Sequence, residues 1–422
     1  MPSPKCAAIL GAVALPFLGA AIPAAAAPRA ECAPVPSAGK YPTYQQLPTQ
    51  TTLPDPWLPL AYTTTDSEGG DSPSFASDVM TGKGKNRIQT PEEWYRCRQP
   101  EILQMLQEYQ YGYYPDHSQE TVKATRSGNT VNIEVTAGGK TGMFSATLAL
   151  PTTTTPAPVV INIGGMTNQP YLQAGIAVVG FDYSRVAADS NAGTGAFWDI
   201  YKGQDIGVLT AWAWGFHRVL DALNATVPEI DSTRVGVTGC SRLGKAALAA
   251  GLLDARITLT MPMSSGVQGL GPYRYHGLSG QDETLENSKS GAGWWTDKTL
   301  GTFVNHAETL PYDAHTIAAA IAPRALVIDQ GTGDQFTNSK GTSVIVYPAA
   351  KLVYDWLGVP DQIAMSVRGG GHCDMSGFNS VLPFVTKVLQ NQTITKDYND
   401  LGSYGSPMAT TYPWATAVPK VA

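Results

Sequence analysis

The strongest constraint on the fold is a recurring unit: a short continuous apolar run, a break at small or polar residues, and a helix-forming stretch. The unit begins at Val159-Val-Ile-Asn-Ile163, which stops at Gly164-Gly165, and further apolar runs lie at 176–181, 234–238, 257–261, 325–329 and 363–368. Helix-prone segments fall among them at 207–223, 245–253, 348–357 and 382–389. Apolar runs of about four to eight residues without polar alternation suit strands buried on both faces. Joined by helices, such strands form a mostly parallel sheet covered on both sides. The expected class is therefore α/β, a three-layer α/β/α sandwich.

The chain before this region reads differently. Residues 122–136 and 142–150 alternate apolar and polar positions, as antiparallel strands do. A helix is predicted over 91–109, with Thr90 as its cap and Glu93 completing a capping box. Pro100 inside it predicts a kink or a break into two helices. Pro348 is placed in the first turn of its helix, where its missing N–H costs nothing. Residues 28–90 are rich in Pro, Thr, Ser and Gly and read as an extended N-terminal segment packed on the α/β domain, with 66–85 a loop; 91–422 form that domain.

Residues 1–27 have the pattern of a secretory signal: Lys5, an apolar core over 7–18, and small residues from Ala21 to Ala27. No later stretch reaches about 18 clean apolar residues, so no membrane span is expected. The full chain carries 34 acidic and 28 basic residues, a net charge of -6, which argues against a nucleic-acid partner. A secreted, extracellular monomer is expected. Export also governs the cysteines. Cys6 leaves with the signal, and Cys32, Cys97, Cys240 and Cys373 remain, which in an oxidising compartment suggests two disulfides. Four cysteines admit about three pairings. No CxxC or HExxH spacing points to zinc. Asn224-Ala-Thr and Asn391-Gln-Thr are glycosylation acceptors in form, a weak signal alone.

The chemistry centres on Thr233-Arg-Val-Gly-Val-Thr-Gly-Cys-Ser-Arg-Leu-Gly-Lys-Ala-Ala-Leu248, which reads as strand, sharp turn and helix with Ser241 at the apex. Serine hydrolases present their nucleophile in this way. The segment departs from G-x-S-x-G, because the second glycine, Gly244, comes one place late; a serine that merely caps the helix is the competing reading. A nucleophilic serine needs a base. His372 follows the last strand and the run Gly369-Gly-Gly371, which gives the chain order serine, acid, histidine. His217 lies within a predicted helix and His315 follows Asp313; both read as structural. A Cys240–Cys373 bridge would draw Ser241 and His372 together, leaving Cys32–Cys97 as the second pair. For the acid, Asp334 sits just beyond the 325–329 strand, and a turn-forming aspartate is its alternative reading; Asp329, still in the strand, is a weaker candidate. Arg242 and Lys245 put positive charge at a helix start that already favours anions, which suits an oxyanion or a sugar acid. Trp294, Trp295, Trp198, Tyr201, Tyr273 and Tyr275 are available to stack on a carbohydrate or to fill the core.

Three segments together resemble the glucuronoyl esterase family of carbohydrate esterases: Gly236-Val-Thr-Gly-Cys-Ser-Arg-Leu-Gly-Lys245, Ala322-Pro-Arg-Ala-Leu326 and Val367-Arg-Gly-Gly-Gly-His-Cys373. The resemblance covers roughly residues 90 to 390. It implies an α/β-hydrolase fold, no cofactor, and cleavage of 4-O-methyl-D-glucuronic acid esters, including those joining glucuronoxylan to lignin. It further implies Ser241 as nucleophile, His372 as base, Arg242 at the oxyanion, and Lys245, Glu283 and Trp294 at the sugar; the Cys240–Cys373 bridge matches the fungal pattern. The departure is at the acid. Fungal members carry a glutamate in Pro-Gln-Glu-Ser-Gly, whereas this chain has Pro262-Met-Ser-Ser-Gly266, with Ser264 in that place. Many bacterial relatives carry the acid after the later strand, where this chain has Asp334, and Leu310-Pro-Tyr-Asp-Ala-His315 is similar to theirs. The alternatives are another secreted carbohydrate esterase, such as an acetyl xylan esterase, or a carbohydrate-binding relative without catalysis.

Overall fold

The computed structural model describes residues 32, 35–60, 87–153, 156–164, 167–374 and 378–420. The signal expected over 1–27 and the loop expected over 66–85 lie outside the described residues. A nine-stranded sheet has the order β1-β2-β3-β5-β4-β6-β7-β8-β9. Strands β1 (Thr121–Ser127), β2 (Thr130–Ala137) and β3 (Lys140–Ala149) form an antiparallel meander, and β3 pairs antiparallel with β5 (Ala177–Phe181). From there β4 (Ala157–Ile163), β6 (Ile230–Cys240), β7 (Leu259–Met263), β8 (Ala325–Gly331) and β9 (Ile363–Arg368) run parallel. Every residue of β4, β7 and β8 is buried, as their unbroken apolar runs require. Period-two alternation divides them between two layers: Val159, Ile161 and Ile163 face a core shared with Trp212 and Leu220, while Val160 faces a second with Phe384 and Leu389. The fold is a three-layer α/β-hydrolase sandwich.

The run read as one strand over 122–136 is a hairpin turning at Gly128-Asn129, with Gly128 at φ 58°. The more buried positions are even-numbered in β1, at Val122 and Ala124, and odd-numbered in β2, at Val131, Ile133 and Val135. This phase change marks the turn. It is faint in the sequence because β1 is only half-buried and Arg126 occupies one of its inward positions.

Each internal proline stands in the first turn of an α-helix, Gln99–Leu106 for Pro100 and Tyr347–Trp356 for Pro348, as expected. Shorter helical turns lead into each helix, from Pro91 in the first case and from Ser339 in the second. In each case a π turn precedes the proline: Trp94–Arg98 before Pro100 and Thr342–Val346 before Pro348. The residue just before the proline, Gln99 or Tyr347, donates its N–H five residues back, to Trp94 or Thr342. Widening the ladder there accommodates a ring that would otherwise meet the carbonyl four residues earlier.

The N-terminal segment supplies Trp57, fully buried and packed edge-on against Trp356 and Trp414 at 5.8 and 5.6 Å. Leu53 exchanges hydrogen bonds with Thr411 and Trp414, and Cys32 is disulfide-bonded to Cys97. Among the described residues no helix is long and apolar enough to cross a membrane.

Candidate active site

Strand β6 ends at Cys240 and helix Arg242–Leu253 begins two residues later, so Ser241 must make the whole turn. It does so at φ 59°, ψ -130°, a conformation that costs a non-glycine residue energy and persists only where its surroundings impose it. The Ser241 N–H donates to the Met263 carbonyl at 3.0 Å, and the Lys245 N–H donates to the Ser241 carbonyl at 3.0 Å. The turn is tight enough to need both flanking glycines. A Cβ on Gly239 would lie 2.5 Å from the Leu243 carbonyl oxygen, and one on Gly244 would lie 2.8 Å from that of Met263. The late second glycine thus has a packing reason: position 244, not 243, presses on β7.

The loop after β9 brings His372 to this turn. Cys240 and Cys373 form a disulfide with their Cα atoms 5.7 Å apart, so the neighbours Ser241 and His372 belong to one covalently closed corner. Asp334 comes from the loop after β8, and its Oδ2 lies 2.9 Å from His372 Nδ1. Its side chain is fully buried, while that of His372 is 25 % exposed. Burial pushes the Asp334 carboxyl up, but hydrogen bonds from His372, Thr337 Oγ1 (2.7 Å) and the Phe336 N–H (2.9 Å) prevail and bring it to about 2. An ionised carboxylate only accepts, so the Nδ1 of His372 carries the proton of this hydrogen bond, which in the neutral ring leaves Nε2 as the acceptor nitrogen.

Asp329 is excluded as partner to His372. It lies within β8, buried, with Oδ1 2.8 Å from Arg368 Nε. Ser264 is fully buried at φ 43°, and its hydroxyl has no hydrogen-bond partner. His217 bonds Tyr114 Oη and the Ala250 carbonyl, and His315 bonds the Pro54 carbonyl and stacks on Trp414; both are buried structural residues.

One helical turn beyond Ser241, Lys245 is buried, with its ammonium 2.6 Å from Glu283 Oε2, 2.6 Å from the Val267 carbonyl and 5.4 Å from the centre of the Trp295 ring. Burial pushes the Lys245 ammonium below its usual range, and Glu283 opposes that shift. Trp294 meets this site through Asp189, a residue the sequence reading missed. Asp189 Oδ1 accepts from the indole N–H groups of both Trp294 and Trp295 at 2.8 Å, and its Oδ2 ion-pairs with Arg242 Nε at 2.6 Å. Arg242 also lies 3.3 Å from the Tyr183 hydroxyl. Asp189 sits in Ala188-Asp-Ser-Asn-Ala-Gly193, which carries only the signature of a polar turn. The other aromatics considered for stacking serve elsewhere. Tyr273 is buried on Gln110, Trp198 packs on Phe197, Tyr201 bonds Glu120, and Tyr275 bonds the Thr51 carbonyl. Among the described residues no cluster of three or more His, Cys, Asp or Glu is arranged to hold a metal ion.

A family model described as "Glucuronyl esterase, fungi" matches residues 133–358. The 4-O-methyl-glucuronoyl methylesterase of Schizophyllum commune is 34 % identical over 343 residues, covering 78 % of this chain and 86 % of that protein. The protein of the same name from Hypocrea jecorina is 34 % identical over 330 residues, covering 75 % and 70 %. Among solved structures, a glucuronoyl esterase from Caldicellulosiruptor kristjansonii superposes with a TM-score of 0.74 at 33 % identity, covering 87 % of this chain and 97 % of that one. A serine-to-alanine variant of the Sporotrichum thermophile glucuronoyl esterase, in complex with methyl 4-O-methyl-beta-D-glucopyranuronate, superposes with a TM-score of 0.73 at 27 % identity, covering 89 % and 97 %. With its fold and its serine turn, the chain belongs to the glucuronoyl esterase family.

Proposed function

We propose that this chain is a 4-O-methyl-glucuronoyl methylesterase that hydrolyses esters of 4-O-methyl-D-glucuronic acid through an acyl-enzyme. Ser241 Oγ attacks the C6 carbonyl as His372 Nε2 takes its proton; Asp334 holds the imidazole and stabilises the imidazolium. Arg242 and backbone N–H groups stabilise the oxyanion. The alcohol leaves with the proton from His372. Water, deprotonated in turn by His372, releases the glucuronate and restores Ser241. Lys245, Glu283 and Trp294 hold the sugar. The natural substrate is the ester between glucuronoxylan and lignin, met outside the cell by a secreted monomer.

The observation that carries the sugar-acid reading is the ion pair of buried Lys245 with partly exposed Glu283, one helical turn from Ser241. A general esterase has no need of a buried lysine there, whereas this pair offers both a donor and an acceptor to ring hydroxyls. Assaying benzyl glucuronate beside acetylated xylan tests this. The glucuronate ester should be the better substrate, and preference for the acetyl ester would refute the substrate claim. Ser241→Ala should abolish both activities; hydrolysis persisting in that variant would refute the mechanism.

A further inference from the structure

We propose that Asn391 carries an N-linked glycan, that Asn224 does not, and that the first sugars of the glycan lie in a groove beside Asn391. The proposal rests on the reading of the chain as exported and adds where the exported chain is modified. Both residues open an Asn-x-Thr acceptor, but the fold treats them differently. Asn224 lies in the last turn of helix Val208–Thr226. Residues two apart on a helix point about 200° away from each other, so the Thr226 hydroxyl cannot meet the Asn224 amide. Both groups are also engaged: the Thr226 hydroxyl donates to the Ala222 carbonyl at 2.8 Å, and Asn224 Oδ1 accepts from the Ser232 hydroxyl at 2.9 Å. Asn391 directly follows helix Leu382–Gln390, in the left-handed conformation at φ 56°, which asparagine adopts more readily than most residues. Gln392 and Thr393 come next, outside any helix or strand, and all three residues are exposed. Neither the Asn391 amide nor the Thr393 hydroxyl has a hydrogen-bond partner among the described residues.

The modification is a substitution at a sugar carbon, with an oligosaccharide carried on a lipid diphosphate as donor. Asn391 Nδ2 bonds to C1 of the first sugar, and the C1–O bond to the diphosphate breaks. The lipid diphosphate leaves with that electron pair, and one amide proton passes to a base. The place for the sugars is a groove of about 630 Å³, one wall of which is Asn391, Gln392 and Thr393. That volume lies within the ~300–1,000 Å³ of ordinary ligand sites. The two lysines of the groove are already engaged. Lys387 lies 5.6 Å from the centre of the Phe384 ring and 3.9 Å from Asp361 Oδ1. Lys396 lies 4.6 Å from the centre of the Tyr398 ring and donates to the Ser380 carbonyl at 2.8 Å. What remains for a ligand is ring edges and the amides of Gln392 and Asn399, which suit a neutral sugar better than an anion. The groove begins at Ile363, the first residue of β9, whereas His372 follows the last. The strand puts about 20 Å between the two, so the glycan stays clear of the reaction.

The test expresses the full chain, with its own residues 1–27, in a yeast and maps the secreted protein by peptide mass spectrometry. The Asn391 peptide should carry glycan and the Asn224 peptide none. Asn391→Gln and Thr393→Ala should each remove the glycan and keep wild-type kcat/KM on benzyl glucuronate. An endoglycosidase that cuts between the first two sugars should release the glycan about tenfold or more slowly from the native than from the heat-unfolded protein, because the seated sugars must first leave the groove. A secreted protein bare at Asn391, or modified at Asn224, would overturn the assignment, and equal release rates would overturn the seating. A chain that stays inside the cell would instead remove the export reading, and the modification with it.

Discussion

Replacing Asp334 by Asn tests the part of the site that departs from the fungal motif, with almost no change of shape. The amide can still accept the Phe336 N–H or the Thr337 hydroxyl. It cannot offer a charge to His372 Nδ1, 2.9 Å away. The imidazolium formed when Ser241 loses its proton then stands without its counter-charge, and the amide favours the wrong tautomer. In a serine triad this change costs about 10⁴ in kcat, which is about 5.4 kcal/mol of barrier. Because the Asp334 side chain is fully buried, KM should move little. Steady-state release of benzyl alcohol from benzyl glucuronate measures both constants. A kcat loss of less than about tenfold would refute the assignment and leave His372 in need of another carboxylate. The same substitution has a stability signature. The Asp334 carboxyl lies at about 2 in the folded protein against an ordinary 3.8, so its contribution is present above the ordinary value and is lost as pH falls from there to about 2. The gap in urea midpoint between wild type and Asp334→Asn should therefore be larger at pH 6 than at pH 3.

Three further outcomes follow from the site. Glu283→Ala leaves the Lys245 ammonium buried with the Val267 carbonyl and the Trp295 ring but no counter-charge, which should cost about 3–5 kcal/mol and lower Tm, whereas Lys245→Met removes the charge at similar length and should keep Tm while raising KM; equal Tm values for the two variants would contradict this. Converting Cys240 and Cys373 together to Ala opens a link between residues 133 apart in sequence, and chain-entropy reasoning puts the loss at about 5 kcal/mol, read as a lower urea midpoint; an unchanged midpoint would speak against it. Asp189→Ala frees Arg242 and leaves two indole N–H groups without their acceptor, so kcat/KM on benzyl glucuronate should fall about tenfold to a hundredfold, while wild-type kinetics would show that Asp189 positions nothing.

The parallel half of the sheet was legible because strands buried on both faces leave unbroken apolar runs, as at Val159–Ile163. The turn at Ser241 and the loop carrying His372 were legible because both are glycine-marked exits from such strands. Asp334 could be located but not decided, since a turn aspartate and a histidine partner look alike until the loop after β8 is folded against the loop after β9. The helix at Pro348 was legible from the proline in its first turn, whereas the turns from Ser339 that lead into it were missed because Ser339, Gly341, Thr342 and Ser343 read as loop. Asp189 left no signal at all. Its three partners come from two other stretches of chain, and only tertiary packing gathers them.

The Asp189 clamp also bears on temperature. A free arginine side chain holds about 2 kcal/mol of rotamer entropy, which the proposed reaction would have to remove each time the guanidinium turned to an oxyanion. With Nε already ion-paired to Asp189, much of that loss occurs once, on folding. An entropic penalty grows in proportion to absolute temperature, so an enzyme lacking the clamp would fall further behind the wild type as it is warmed. Asp189 therefore makes the readiness of the site a property of the folded chain rather than of each encounter with substrate.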